Sequence, residues 1–334
     1  MEQTTIRVLR GLVVAVAFLL LLPSVGEAVT KQRTCGSQPG QTIEQFLDEL
    51  NSGDTLLVNG TCNENVVVGT GRTGITLDGQ GTATIIGPDT TEATVTITGR
   101  NITLKGFTIN GGRDGVRVTR GGTATITGNT ITGAAGTRDG IIVNRGGEAT
   151  IDGNTIGSWG RFGINLDQNG TARIVNNTVQ NNGSHGILVD ESSSGRIGFL
   201  AFGDTVAGPN TIQSNGGRGV NVTRSASAVI LSNTVSNNTL DGVGVFRGSH
   251  ADIGANTIDG NGDSGIFVSE NSGVNLGQTG IAFDSSNSTT VGSENTDFGL
   301  RCSINSYANG TRGSLNGVSG ATSFTGSCVD STSP

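Results

Sequence analysis

A short phrase returns through the middle of this chain at nearly constant spacing. Glycine followed by Ile or Val occurs at Gly115, Gly140, Gly163, Gly186, Gly219, Gly242 and Gly265, at intervals of 25, 23, 23, 33, 23 and 23 residues. An Asn-Thr-(Ile/Val) triplet keeps pace with it at Asn129, Asn154, Asn177, Asn210, Asn233 and Asn256. A period in this range marks a solenoid, whose units cannot bury their apolar sides alone and must stack.

One unit shows how. In Gly140-Ile-Ile-Val-Asn144, Ile141 and Val143 fall on one side and Ile142 and Asn144 on the other. After a Gly-rich turn come Ala149-Thr-Ile-Asp152 and Asn154-Thr-Ile156, and then the return to Gly163. These are three short strands of period two, with no window long enough for a helix. Stacked coil on coil, they predict three parallel sheets around a core of Ile, Val and Ala. The recurrent Asn is expected at a turn, hydrogen-bonding up the column and taking the left-handed conformation.

Residues 55–300 resemble the right-handed parallel β-helix repeat family, with the pectate-lyase-like fold. Related repeats occur in carbohydrate-binding proteins and sugar hydrolases. The expected fold is all-β, a three-sheet solenoid of about ten coils and about 50 Å at the usual strand spacing. Thr42-Ile-Glu-Gln45 is a capping box followed by Phe46, Leu47 and Leu50, which predicts an amphipathic helix over residues 42–51 covering the first coil. The segment 29–54 then forms an N-terminal cap, and residues 301–334 close the far end. The long unit carries Gly198-Phe-Leu-Ala-Phe202, read as a loop bulging from the column.

Residues 1–28 read as a secretory signal peptide: Arg7 and Arg10, an uncharged apolar run from Leu12 to Leu22, and Gly26-Glu-Ala28 as a cleavage site. An uncleaved anchor is the alternative. No later stretch is long and apolar enough to span a bilayer. The expected product is a secreted, periplasmic or cell-surface protein, monomeric, without cofactor or metal. In an exported chain, the four cysteines fall into two local pairs, Cys35–Cys62 and Cys302–Cys328, because the repeat array separates them. The net charge of −7, with Lys31 and Lys105 the only lysines and the arginines scattered, argues against nucleic acid as a partner.

In polysaccharide-acting relatives of this fold the outward face of one sheet does the work. Alternation puts Arg117, Ile142, Asn165, Leu188, Asn221, Gly244 and Phe267 outward in the opening strands, followed two residues later by Thr119, Asn144, Asp167, Asp190, Thr223, Phe246 and Ser269. Asp167 and Asp190 fall on consecutive coils, near the carboxylate separation of a retaining glycosidase. With His185 they are the candidate catalytic residues. Asn144, Asn165, Arg145, Phe246 and Phe267 are the candidate substrate contacts, and Trp159 and Phe162 are expected as exposed rings nearby. A solvated acidic strand face, with Glu191 alongside, is the plainer reading of the same residues.

Known enzyme signatures do not fit. Polygalacturonase-like hydrolases carry Asn-Thr-Asp, Asp-Asp, Gly-His-Gly and Arg-Ile-Lys in order. Here Asn295-Thr-Asp297 lies after the repeats, Ser184-His-Gly186 is a near miss, and the other two are missing. The Asp-Pro-His-Asp of mannuronan epimerases is also missing, and a calcium-dependent lyase needs a basic residue opposite clustered acids. Asp259 to Glu270 spells an EF-hand loop apart from Ser264, but without flanking helices. Copper handling is disfavoured by two histidines, His185 and His250, and the single Met1. The expectation is a protein that binds, or processes as a hydrolase, lyase or epimerase, an extended polysaccharide. A non-catalytic surface or extracellular structural or adhesive rod is the alternative.

Overall fold

The computed structural model describes residues 27–36, 41–134, 136–200, 206–277 and 286–334; the signal-peptide reading falls almost wholly outside them. Each coil contributes three short parallel strands, as the period-two pattern requires. The opening strands stack into an eleven-stranded sheet running from Val66–Val68 to Gly320–Phe324. The second and third strands belong to one twenty-stranded sheet, because Thr76–Gly87 and Ile102–Gly111 pass unbroken through the corner between their two ladders. The opening-strand sheet thus has one strand more than the expected ten coils.

Register follows the repeat: Ile141, Ile142, Val143 and Asn144 pair with Ile164, Asn165, Leu166 and Asp167. Inward positions such as Ile141, Val143, Ile164, Leu166, Ile187 and Val189 are fully buried. Trp159 belongs to this interior. It is 1 % exposed and donates its indole N–H to the Ile131 carbonyl at 3.2 Å, which corrects the expectation of an exposed ring. Gly115, Gly133 and Gly140 leave the room its large side chain needs, since a Cβ on any of them would meet the indole at 3.0 Å or less.

The triplet asparagines form a buried ladder. Asn154 donates its main-chain N–H and its Nδ2 to Asn177 Oδ1, at 2.9 and 3.0 Å, and Asn177 repeats both bonds to Asn210 Oδ1. The left-handed residue is not the ladder Asn but the one before it: Gly128, Gly153, Asn176, Ser232 and Ala255 all have positive φ. The ladder side chain is needed for inward hydrogen bonds, so the turn strain falls on its neighbour.

The helix is shorter than the pattern suggested. It spans Ile43–Leu47, with the Thr42 side chain accepting the Gln45 N–H, and packs against Val66–Val68. It stops because the Leu50 N–H turns back to the Leu47 carbonyl at 3.1 Å, leading the chain into Thr55–Asn59. At the other end, Phe298–Cys302 and Tyr307–Thr311 continue the two sheets and pair with Gly320–Phe324 and Val329–Ser333. Disulfides join Cys35 to Cys62 and Cys302 to Cys328. Of the ten-residue insertion, Phe199 is fully buried beneath Arg196, and residues 201–205 lie outside the described set.

Candidate functional site

A groove of about 960 Å³ runs along the outward face of the opening-strand sheet. Its lining spans seven consecutive coils, from Arg138 to Ile304, or about 30 Å at the usual strand spacing. Asp167, Asp190, His185, Asn165, Phe246 and Phe267 all line it. Asn144 and Arg145 do not. Asn144 is the strand partner of Asp167 on the groove's first coil, beyond its lining, and Arg145 is exposed with its Nε 3.3 Å from Gln168 Oε1.

Stacking brings the acids together as the register demands. Carboxylate oxygens of Asp167, Asp190 and Glu191 lie within 4.8 Å of one another. Their environments differ. Asp190 is nearly buried and ion-paired with Arg224, while its Oδ1 accepts the Glu191 N–H at 2.9 Å. Burial first, then the charges of Glu191 and Asp190, push the Asp167 carboxyl above its ordinary pKa. Two neighbouring carboxyls in such different surroundings are the arrangement from which acid and base roles are assigned.

His185 is held in one form. Its Nδ1 accepts the Arg218 main-chain N–H at 3.0 Å, so in the neutral ring the proton sits on Nε2. Burial, then the nearby Arg218 charge, lower its pKa to about 4. At neutral pH His185 is an uncharged N–H donor, with Nδ1 committed to the backbone.

Arginines scattered in sequence converge here. Arg138, Arg161, Arg218, Arg224, Arg247 and Arg301 line the groove against four acids, Asp167, Asp190, Glu191 and Glu270. This corrects the impression that an acidic chain with only two lysines and scattered arginines has no basic surface. Several guanidinium groups lie on rings: Arg161 over Phe162 at 4.5 Å, Arg218 over Phe246 at 4.3 Å and Arg301 over Phe267 at 4.6 Å. Phe162 stacks on His185, and Phe246 meets Phe267 edge to face at 5.2 Å. Gly244 makes the second contact possible, since a Cβ there would lie 2.4 Å from the Phe246 ring and 2.5 Å from Arg218 Cδ.

The forks are fixed from beneath. Asp139, fully buried, takes Arg161 through both oxygens at 3.2 Å and also accepts Asn165 Nδ2 at 3.0 Å. Asp241, 1 % exposed, holds Arg218 Nε at 2.7 Å. Burial is the main cause raising the pKa of both carboxyls, and the arginines oppose it. The Oδ1 atoms of Asn165 and Asn221, on the groove floor, have no partner among the described residues.

Sequence reasoning missed the arginine rack, because its members sit at different places in their coils. One signal was present. The residue before the repeat glycine is Asp at 114, 139 and 241 but Phe at 162 and His at 185, in the same two coils that carry Asp167 and Asp190.

Comparisons with known proteins agree with this architecture. A family model described as "Right handed beta helix region" matches residues 54–199, and one described as "Periplasmic copper-binding protein (NosD)" matches residues 134–291. No curated protein matches the sequence. Among solved structures, the chain is similar to the A-module of the mannuronan C-5 epimerase AlgE6 from Azotobacter vinelandii. The identity is 13 %, with 92 % of this chain and 91 % of that one covered and a TM-score of 0.54. It is similar to pectate lyase Pel9A at 13 % identity, with 93 % and 80 % covered and a TM-score of 0.55. Repeat, ladders and matches together identify the chain as a right-handed parallel β-helix protein with the pectate-lyase-like fold.

Proposed function

We propose that the protein binds an extended acidic polysaccharide laid along the solenoid axis in this groove. The observation that carries the reading is the rack Arg161–Phe162–His185–Arg218–Phe246–Phe267–Arg301, contiguous across the coils. Phe246 is nine-tenths buried with a guanidinium over its ring, so it supports Arg218 more than it stacks on a sugar. What faces the groove is planar cationic forks, which match carboxylates. Structurally similar proteins act on mannuronan and pectate, which agrees with a uronate polymer.

Processing at Asp167 and Asp190 is the second reading, favoured by their proximity and unlike surroundings. Export is part of the proposal, supported by two disulfides and by the absence, among the described residues, of any helix long and apolar enough to cross a membrane. Among the described residues no two histidines or free thiols meet to suit the copper in the name of the second family; the acids Asp167, Asp190 and Glu191 are the groove's one cluster of possible ligands. All four cysteines are in disulfides, His185 Nδ1 accepts an N–H, and His250 lies on another sheet.

Titration calorimetry with polyuronate and with neutral glucan tests binding. The expected result is polyuronate affinity that falls with salt and falls about tenfold in Arg301→Ala, the loss of one charge-assisted bond. Equal affinity for neutral glucan, or none for either polymer, overturns it. Release of reducing or unsaturated ends, abolished by Asp167→Asn and Asp190→Asn, tests processing.

A further inference from the structure

A second cluster lies away from the groove, on the twenty-stranded sheet. His250 begins the strand His250–Gly254, and its lateral neighbours on the next two strands are Gly273 and then Tyr307. Two strand spacings are too far for side chains to meet unless one crosses the position between. Gly273 allows this: a Cβ there would lie 2.1 Å from Tyr307 Cε1 and Cζ, so the ring lies across the glycine. The phenol oxygen thereby comes within 3.0 Å of His250 Nδ1.

The far side of the imidazole is also held. His250 Nε2 is 3.1 Å from Asp252 Oδ1, and that oxygen accepts Asn275 Nδ2 at 2.8 Å. Nε2 also lies 3.2 Å from Asn275 Nδ2; in the tautomer whose Nε2 proton is directed to Asp252, Nδ1 accepts the phenol proton. The hydrogen bond from His250 is the largest cause lowering the Asp252 pKa, which keeps that carboxylate ionised. A hydroxyl, a base within hydrogen-bond reach and a carboxylate orienting the base are the parts of an activated nucleophile. Asn275 also borders a shallow cavity of about 360 Å³, whose other lining residues include Asn309, Thr311, Ser331 and Ser333.

We propose that Tyr307, His250 and Asp252 form a second, nucleophilic site that takes acyl groups from small esters. The Tyr307 oxygen attacks the ester carbonyl while His250 Nδ1 removes its proton. The acyl–Oη bond forms, the bond to the alcohol oxygen breaks, and His250 returns the proton to the departing alkoxide. Water, deprotonated by the same nitrogen, then cleaves the acyl-tyrosine to a carboxylic acid and the free phenol. Asp252 does not touch substrate; it is the positioning residue that sets the tautomer.

Tyr307 is the only tyrosine in the chain, which makes the test unambiguous. The protein is incubated with p-nitrophenyl acetate while nitrophenolate release is followed, and the acyl group is located by peptide mass mapping. The expected result is one acetyl group on Tyr307 and release at least tenfold faster than in Tyr307→Phe, which keeps the ring over Gly273. His250→Gln and Asp252→Asn each slow release at least tenfold with thermal melting unchanged. Equal rates in wild type and His250→Gln, or acetyl groups found only on Lys31, Lys105 or the amino terminus, overturn the proposal.

Discussion

The imidazole of His185 lies parallel to the phenyl ring of Phe162, with centroids 5.5 Å apart and planes 5° from coplanar. The stack sits where three other coils place a buried aspartate, Asp114, Asp139 and Asp241, so these two coils give up that charge to put two flat rings at the groove edge. Arg161 covers one end of the stack and the Arg218 backbone anchors the other.

That environment predicts a pH signature. The unfolded imidazole takes up its proton below its ordinary value of 6.5, but the folded one only near 4. Between these values the unfolded state binds more protons, so stability falls as pH falls through the window. The component amounts to about 3 kcal/mol when complete. His185→Phe should flatten the difference between denaturant melts at pH 7 and pH 4.5. A titration midpoint near 6.5 by NMR would refute the assignment.

Arg218 touches more of the rack than any other residue. It covers Phe246, is held by Asp241, and its main chain fixes His185. Arg218→Lys keeps the charge but loses the planar fork and its stacking. It should weaken polyuronate binding about tenfold, close to Arg218→Ala, with little change in melting temperature. Gly244→Val should weaken binding similarly by displacing both Phe246 and the Arg218 stem. Full affinity in Gly244→Val would show that the rack geometry is not used.

Asn177 reports on the column itself. It accepts from Asn154 and gives its Nδ2 to the carbonyls of Ile151 and Val175 and to Asn210 Oδ1. Asn177→Ala strands a buried main-chain N–H and leaves carbonyls short of donors, at about 1–3 kcal/mol each. Melting should fall by about 10 °C or more, and Asn177→Asp should not rescue it, because a carboxylate supplies acceptors but no donor. A shift under 2 °C, scored by calorimetry, would count against the ladder.

The architecture was legible because stacking repeats the same demand in every coil. Gly140, Ile141, Val143 and Asn154 each answer a need that Gly163, Ile164, Leu166 and Asn177 answer again one coil later. Asp167 and Asp190 were legible as neighbours for the same reason. The arginine rack was not, because Arg161, Arg218 and Arg301 reach common ground from different positions, through rings and buried acids that only packing reveals. Trp159 misled because a large ring in a turn looks exposed until the surrounding glycines are seen to accommodate it.

Among the described residues the strand ladders join each coil to the coils before and after it, and the strand register repeats without offset from Ile164 to Ile187 to Val220 to Val243. A duplicated or deleted coil therefore meets the same ladder partners it had before. Groove length is in this sense a counted quantity: it changes in steps of about 4.8 Å, without renegotiating the core. Gain or loss of one repeat would therefore lengthen or shorten the proposed binding groove by one coil while leaving the folding problem unchanged.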